Sequence, residues 1–295
     1  MFIFDEDEVI KSFCKIDDLT LKFKVFEVSF WLFAPNSKPT RKPKLTDSEI
    51  ITILVLYHES GYKTFKDFYK RFVLKALKSY FPNLVSYDWF LTLMQRVLMQ
   101  VMGLIHLLCI DANRSGIYYV DASKLPVCHN LRAKRNKVFE GIARSGKTSM
   151  GWFFGLKLHL VCNEIGELVA FKITTGNVAD NNHDTLKFLF KSIKGKVFGD
   201  KGYLTKLKEY FLDNGLNVIA KFKDKMYKKL KDKVMSSEDF LFANKRGVIE
   251  TIFDVLKNNC DIWHTRHRSP VNAIIHLVAG LIAYQLRDNK PSIIL

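Results

Sequence analysis

Residues 116–123 read Gly-Ile-Tyr-Tyr-Val-Asp-Ala-Ser, and the fold turns on how this stretch is taken. It is a run of β-branched and aromatic side chains that ends in a carboxylate, the composition of a strand. Strand side chains alternate between faces, so Ile117, Tyr119 and Asp121 point one way and Tyr118, Val120 and Ala122 the other. Both faces are apolar up to Asp121, as in a strand covered on both sides in the middle of a sheet. An aspartate at the end of such a strand is either an ordinary turn residue or a charge set at the sheet's edge.

The segments downstream supply the rest of a sheet. Residues 151–163 alternate, with Phe154, Leu156, Leu158 and Leu160 on one face and Lys157 and His159 on the other. Residues 163–167 form a hairpin turn, and 168–174 the return strand. A helix around 184–193, a strand 196–199 ending at Asp200, a helix 204–214 and a strand 217–222 follow. Three antiparallel strands, then parallel ones reached through helices, is the order of a ribonuclease-H-like mixed sheet. The expected fold class is therefore α/β, with a five-stranded sheet flanked by helices.

Upstream, residues 1–110 read as helical. Thr46 and Glu49 have capping-box spacing at the head of an apolar stripe that stops at Gly61, and further helical segments span 62–73 and 86–109. Helix, short turn, helix suits a helix-turn-helix DNA reader and equally a small helical bundle. The change of pattern divides the chain into a helical domain 1–110 and a sheet-bearing domain 111–295. Two more helices close the second, 245–259 and 269–286, the latter with Ser269 as N-cap and Pro270 in its first turn.

The charge balance selects a partner. There are 46 Lys and Arg against 30 Asp and Glu, a net +16, more than solubility requires and suited to a polyanion. Basic residues crowd 38–44, 124–147 and 221–233. Five cysteines with no paired spacing argue against a disulfide framework or a zinc knuckle and suit a reducing compartment. The most apolar window, 271–286, contains Asn272 and His276 and is too short and polar for a membrane span. His264, Arg266, His267 and Arg268 either contact DNA or form a polar turn before that helix.

Asp200, in Val-Phe-Gly-Asp-Lys-Gly-Tyr, ends a short strand as Asp121 does. In the expected order the first and fourth strands are neighbours, which sets the two aspartates side by side although 79 residues separate them. Carboxylates held that close repel unless a cation lies between them, and oxygen ligands of this kind suit Mg²⁺ or Mn²⁺. On the helix 245–259, Arg246, Glu250, Asp254 and Lys257 share one face. Such a row is an ordinary solvated face, or a metal ligand set between phosphate-binding cations. Residues 141–148, Gly-Ile-Ala-Arg-Ser-Gly-Lys-Thr, match the P-loop pattern but follow a charged stretch and precede a strand, the wrong context for a nucleotide site.

Seven blocks together resemble a DDE-type bacterial insertion-sequence transposase, most closely the family numbered nine-eight-two: LTDSEIITILVLYHESGYKTFKDFY, VDASKLPVCHN, GKTSMGWFFGLKLHLV, TTGNVADN, FGDKGYL, KRGVIETIFDVLKN and HTRHRSPVNAIIHLVAGLIAY. They span nearly the whole chain in order. The resemblance implies that Asp121, Asp200 and Glu250 are the catalytic, metal-binding triad, holding two Mg²⁺ or Mn²⁺ ions for strand cleavage and transfer. The related signature Y-x-x-R-x-x-x-E-x-x-x-x-x-x-K falls on Arg246, Glu250 and Lys257, with Ala243 where the tyrosine would stand. Arg246, Lys257, Lys124, Arg132, Lys134, Arg135, Lys147 and Lys201 are then the expected DNA contacts, with the element's terminal inverted repeats and target DNA as partners. A homo-oligomer assembled on DNA, in the bacterial cytoplasm at the nucleoid and away from membranes, completes the expectation. The alternatives are a stand-alone metal nuclease on the same core and a non-catalytic DNA-binding relic.

Overall fold

The computed structural model describes residues 6–30, 43–149, 151–203, 205–220, 236–263 and 266–293; the basic tract 221–233, most of 38–44, and His264 lie outside them. By its contacts the chain divides into two compact units. One gathers the described residues of Met1–Leu108 with Leu256–Arg287, the other those of Cys109–Val255 with Asp288–Leu295. The segment from Leu256 to Arg287 thus groups with the N-terminal helices, whereas the sequence pattern alone puts it with the sheet.

The helical unit is built around the helix Asp47–Glu59. Its capping box forms as spaced: the Glu49 N–H donates to Thr46 Oγ1 at 3.2 Å, and the Thr46 N–H donates to the Glu49 carboxylate at 2.6 Å. Residues 50–58 are all buried. An all-round apolar helix needs cover on every side. Glu6–Phe30 and Pro270–Leu286 both pack against it. Pro270–Leu286 starts as expected, with Ser269 Oγ accepting from the Asn272 N–H at 3.4 Å, and its Asn272 side chain donates to the Leu91 carbonyl at 3.1 Å. The run Tyr87–Asp111 is long and apolar enough to cross a membrane by length and composition. Within it Arg96 is ion-paired to Asp47 at 2.8 Å.

Among its described residues the sheet unit carries six strands: β1 (Ile117–Cys128), β2 (Arg144–Thr148), β3 (Gly151–Asn163), β4 (Leu168–Thr175), β5 (Gly195–Gly199) and β6 (Leu216–Ala220). Their order is β2-β3-β1-β5-β6, with β4 also on β3. β1 to β4 pair antiparallel, and β1, β5 and β6 run parallel. This is the expected mixed fold with one strand added. β2 pairs with residues 151–155 of β3 and β4 with 156–162, so two short strands share the same side of one long strand. β2 holds the Arg-Ser-Gly-Lys-Thr of the P-loop-like motif. A strand there excludes the loop-to-helix geometry that a phosphate cradle requires.

A second departure concerns Asp121. It does not end β1, which continues on β3 to Cys128 past Pro126, with a register shift between Pro126 and Cys128. The two faces of β1 separate as read. Tyr118 and Val120 join a core with Leu186, Leu189, Phe190 and Phe211, under the helices His183–Phe190 and Lys208–Asp213. Tyr119 faces the helix Ser237–Asn244, its hydroxyl donating to the Phe242 carbonyl at 3.3 Å and its ring 5.8 Å from that of Phe198.

Candidate active site

Parallel pairing sets Tyr119 beside Phe198, and two residues further on the same register brings Asp121 level with Asp200. β5 has ended there, at Gly199, while β1 runs on. Two carboxylates therefore stand at the place where the sheet loses a strand, which frees room beside β1 without breaking its pairing to β3.

Each aspartate is held by a backbone N–H. Asp121 Oδ1 accepts from Ala122 at 2.8 Å, and Asp200 Oδ1 from Gly202 at 2.7 Å. A Cβ at residue 202 would stand 2.8 Å from that Asp200 oxygen, so a larger residue there would push the carboxylate aside. Burial raises the Asp121 carboxyl to about 6, with the Asp200 and Asp180 charges adding to it; the Ala122 N–H and Arg246 pull the other way.

Arg246 lies between two of the expected ligands. Its guanidinium is 3.5 Å from Asp121 Oδ2 and donates to Glu250 Oε1, one helical turn along Gly247–Asp254. Glu250 is otherwise exposed, at 59% of its side chain. Arg246 thus does locally what a cation would do, placing positive charge between Asp121 and Glu250. Among the described residues no three His, Cys, Asp or Glu side chains are grouped closely enough to hold one ion. Of the three expected ligands, Asp121 and Asp200 stand level with each other and Glu250 is tied to Arg246.

The pair nevertheless fits a divalent cation. It offers hard oxygen donors, and its Asp121 member is desolvated. Lys157 marks the opposite face of the sheet. It is 8% exposed, donates to the Val178 carbonyl at 2.7 Å and pairs with Asp180 at 2.9 Å.

The expected DNA contacts divide into groups. Lys201 is exposed in the turn after Asp200. Lys124 lies on β1 opposite Lys157 and, by alternation, on the other face from Asp121. Arg132, Lys134 and Arg135 are exposed on the turn Asn130–Arg135, and Asn130 donates to the Trp152 carbonyl at 2.6 Å. Lys147 sits 5.8 Å from the centre of the Trp152 ring, which is 63% exposed, so these cations gather at one end of β3. Lys257 belongs to the helical unit, 4.7 Å over the Trp263 ring. It lies in a wider π turn, Val255–Asn259. Asp180 and Lys157 escape a reading by motif. Their sequence signal is an aspartate in Gly-Asn-Val-Ala-Asp and a lysine inside an otherwise apolar strand.

A mixed sheet in which Asp121 on β1 stands level with Asp200 just past β5, with an arginine and a glutamate on a later helix, has the form of a ribonuclease-H-like domain of the DDE class. Residues 111–270, more than half of the chain, match the model of the transposase DDE domain, and the chain belongs to that family. Among solved structures it is similar to piggyBac transposase in a synaptic complex with hairpin DNA, with 13% identity and a TM-score of 0.51 over 96% of this chain and 75% of that one. The Mos1 mariner paired end complex with Mn gives 9% identity and a TM-score of 0.20 over 82% of this chain and 87% of that one. The Mos1 strand transfer complex gives 8% and 0.22 over 87% and 82%; at these scores the likeness does not bear on the fold. No curated protein matches the chain.

Proposed function

We propose that this protein is an insertion-sequence transposase that cuts DNA at the ends of its element and joins the freed 3′-hydroxyl to target DNA. The observation that carries the reading is Asp121 level with Asp200 at the end of β5, with Arg246 bridging Asp121 and Glu250. Asp121, Asp200 and Glu250 are the catalytic and metal-binding residues of the proposal, with two Mg²⁺ or Mn²⁺ ions as cofactor. A divalent cation bound there would supply Lewis acidity to a phosphodiester and lower the pKa of an attacking water.

The chain's own residues do the rest. Asp121 and Asp200 present oxygens from a fixed strand register, so little reorganisation is needed to receive positive charge. Arg246 keeps Asp121 and Glu250 balanced while that charge is absent. Once it is present, the guanidinium is free to pair with a DNA phosphate, the bidentate geometry for which arginine is suited. Lys201 adds positive charge beside Asp200. Arg132, Lys134, Arg135 and Lys147, next to the exposed Trp152, form a surface of cations and aromatic ring that can follow a DNA backbone. Lys124 and Lys257 are further phosphate contacts, and the N-terminal helices 1–110 are the proposed readers of the terminal inverted repeats. Assembly as a homo-oligomer on DNA, at the bacterial nucleoid, belongs to the same proposal.

The test is cleavage and joining of a DNA carrying the element's ends, with Mg²⁺ or with EDTA, by the wild type and Asp200→Asn. Metal-dependent cutting and joining that the variant loses supports the transposase. Cutting without joined product would replace it with a nuclease. Tight binding without any cutting would replace it with a DNA-binding relic.

A further inference from the structure

The parallel strands have two ends. Asp121 and Asp200 stand toward one. At the other, where β1, β5 and β6 begin, three loops and two helices line a cavity of about 550 Å³. The Lys196 N–H donates to the Gly116 carbonyl at 2.7 Å and the Gly195 N–H to the Gly215 carbonyl at 2.9 Å, so the backbone itself ties 114–116, 191–196 and 214–216 together. Gly195 has φ +111°, and a Cβ on it would meet the Gly116 carbonyl oxygen at 2.3 Å, an approach that only glycine permits. The helices His183–Phe190 and Lys208–Asp213 supply the remaining walls.

Two chemistries meet in this cavity. Its inner wall is aromatic: Tyr118, Phe190 and Phe211 are buried, the last two edge to face with ring centres 5.2 Å apart. Its rim carries Arg114, Lys187, Lys191 and Lys194, all exposed, and none of its lining residues is a carboxylate. None of the four cations is paired with an acid among the described residues. Tyr210, 48% exposed, also lines it, with Lys187 Nζ 5.2 Å from its ring centre. The Asn214 side chain donates to the Tyr210 carbonyl at 2.7 Å and fixes that end of the helix. Four like charges gathered round one concavity repel one another, and nothing in the packing of the sheet requires them there. Beside a flat aromatic wall they complement a ligand with a strongly anionic end and a flat ring.

We propose that this cavity binds a free nucleoside polyphosphate, with its phosphates among Arg114, Lys187, Lys191 and Lys194 and its base against Tyr210 and the aromatic wall. The volume falls within the range of small-ligand pockets, about 300–1,000 Å³. Lysine and arginine hold phosphate through charge-assisted hydrogen bonds, and an aromatic ring stacks on any base. Charge selects the free ligand over a DNA strand. A strand spreads its phosphates along an extended backbone, whereas a di- or triphosphate brings several charges to one point, as four cations round one concavity require. The nucleotide is a ligand here and not a substrate, because the aspartate pair lies past the far end of β5. The site stands independently of the transposase reading.

The experiment is calorimetric titration of ATP into the full chain, with EDTA present so that no metal complex of the nucleotide reaches the aspartates. Salt at about 0.15 M screens loose association with the basic surface. The variants are Lys191→Ala with Lys194→Ala, Tyr210→Ala, and Arg132→Ala with Arg135→Ala at the end of β3; all five side chains are exposed. We expect one ATP site, weakened about 10-fold or more by loss of the two lysines and about 10-fold by Tyr210→Ala, and unchanged by the Arg132 and Arg135 substitutions. Inorganic tripolyphosphate should bind more weakly than ATP and be indifferent to Tyr210. Asp200→Asn, which tests the transposase, should bind ATP as the wild type does. Equal affinity for ATP and tripolyphosphate would overturn the nucleotide and leave an anion site. An equal loss of ATP binding in the Arg132 and Arg135 variant would reduce the site to general basic surface and overturn it. A single-stranded oligonucleotide that displaces ATP and needs Lys191 and Lys194 to do so would make the cavity a DNA contact and overturn the free ligand. No ATP binding by the wild type would overturn the proposal outright.

Discussion

The helical unit and the sheet unit both bury titratable side chains, and they treat them in opposite ways. In the helical unit His58, His267 and His276 lie ring against ring, with centroids 4.6 Å apart for the first and third and 5.3 Å for the second and third. Burial lowers His58 and His267 to about 4 and holds His276 well below the ordinary imidazole range, so all three are neutral at pH 7. His58 is bonded to the Cys260 carbonyl, and the cluster sits among Tyr57, Phe65 and the apolar Pro270–Leu286 helix. In the sheet unit Asp121 is also desolvated, yet an arginine stands against it and a second aspartate beside it. One unit has discarded charge and uses its polar side chains as core. The other keeps charge where it costs stability, which is the mark of a site in use.

The largest effect that tests this contrast is catalytic. Asp200→Asn removes a charge but hardly any volume, and should reduce metal-dependent strand cleavage by about 10³-fold or more. DNA binding by gel shift at moderate salt should change little, because the surface cations remain. Residual cleavage near the wild-type rate would place the chemistry elsewhere.

Next in size is acidification, which should strike the helical unit. A histidine whose folded pKa lies below its unfolded value takes up its proton more readily in the unfolded chain. Its contribution is complete above about pH 6.5 and is lost as pH falls toward 4. With three such groups the loss should reach several kcal/mol, in proportion to about 1.4 kcal/mol for each pH unit per group. Hydrogen exchange followed from pH 7 to pH 4.5 should show protection falling first in Asp47–Glu59 and Pro270–Leu286. Equal loss in β1 and β3 would remove the distinction between the units.

What the sequence made legible follows the range of the interactions involved. Thr46 with Glu49, Ser269 with Pro270, and the alternation of Ile117, Tyr119 and Asp121 are short-range signals, and each is realised. The continuation of β1 through Ser-Lys-Leu-Pro-Val-Cys is not legible, because a proline and a lysine argue against a strand that only the full length of β3 rescues. β2 is hidden for the same reason: its charged residues suit a strand at the sheet's margin, not an apolar run. The helix 270–286 reads as buried without saying against what. At the site, the facing of Asp121 and Asp200 follows from strand order alone. The hold of Arg246 on Asp121 and Glu250 depends on how the helix settles against the sheet.

Glycines give a packing version of the comparison. A methyl group on Gly155 would meet the Leu125 carbonyl oxygen at 2.1 Å and the Pro126 Cα at 2.9 Å, both backbone atoms of the paired strand. On Gly280 it would meet Ile262 Cγ2 at 2.4 Å and the His58 ring at 3.2 Å, both side chains with some room to move. Gly280→Ala should therefore cost about 1–3 kcal/mol in urea unfolding, and Gly155→Ala more than that, since the β1–β3 ladder itself must shift. The reverse order would mean that the histidine cluster, not the sheet, is the more rigid of the two.

The smallest effect runs against the usual sign of a substitution at a buried charge. The folded-state pKa of Asp121, about 6, is raised from an ordinary 3.8, so the folded protein holds this proton more firmly than the unfolded chain does. Above pH 6 the carboxylate is charged in both states and the folded state bears the whole desolvation cost; below 3.8 it is neutral in both and the cost is gone. Asp121→Asn removes that cost while Arg246 keeps Glu250 as partner. The variant should unfold at a higher temperature than the wild type at pH 7.5, by roughly 1–2 kcal/mol, allowing for the side chain's 24% exposure. The gain should shrink steadily from pH 6 downward and vanish near pH 4. A variant that is inactive and also less stable at pH 7.5 would make Asp121 a structural member of the Arg246 ion pair. One that is inactive and more stable would make it a charge that the fold keeps for its chemistry.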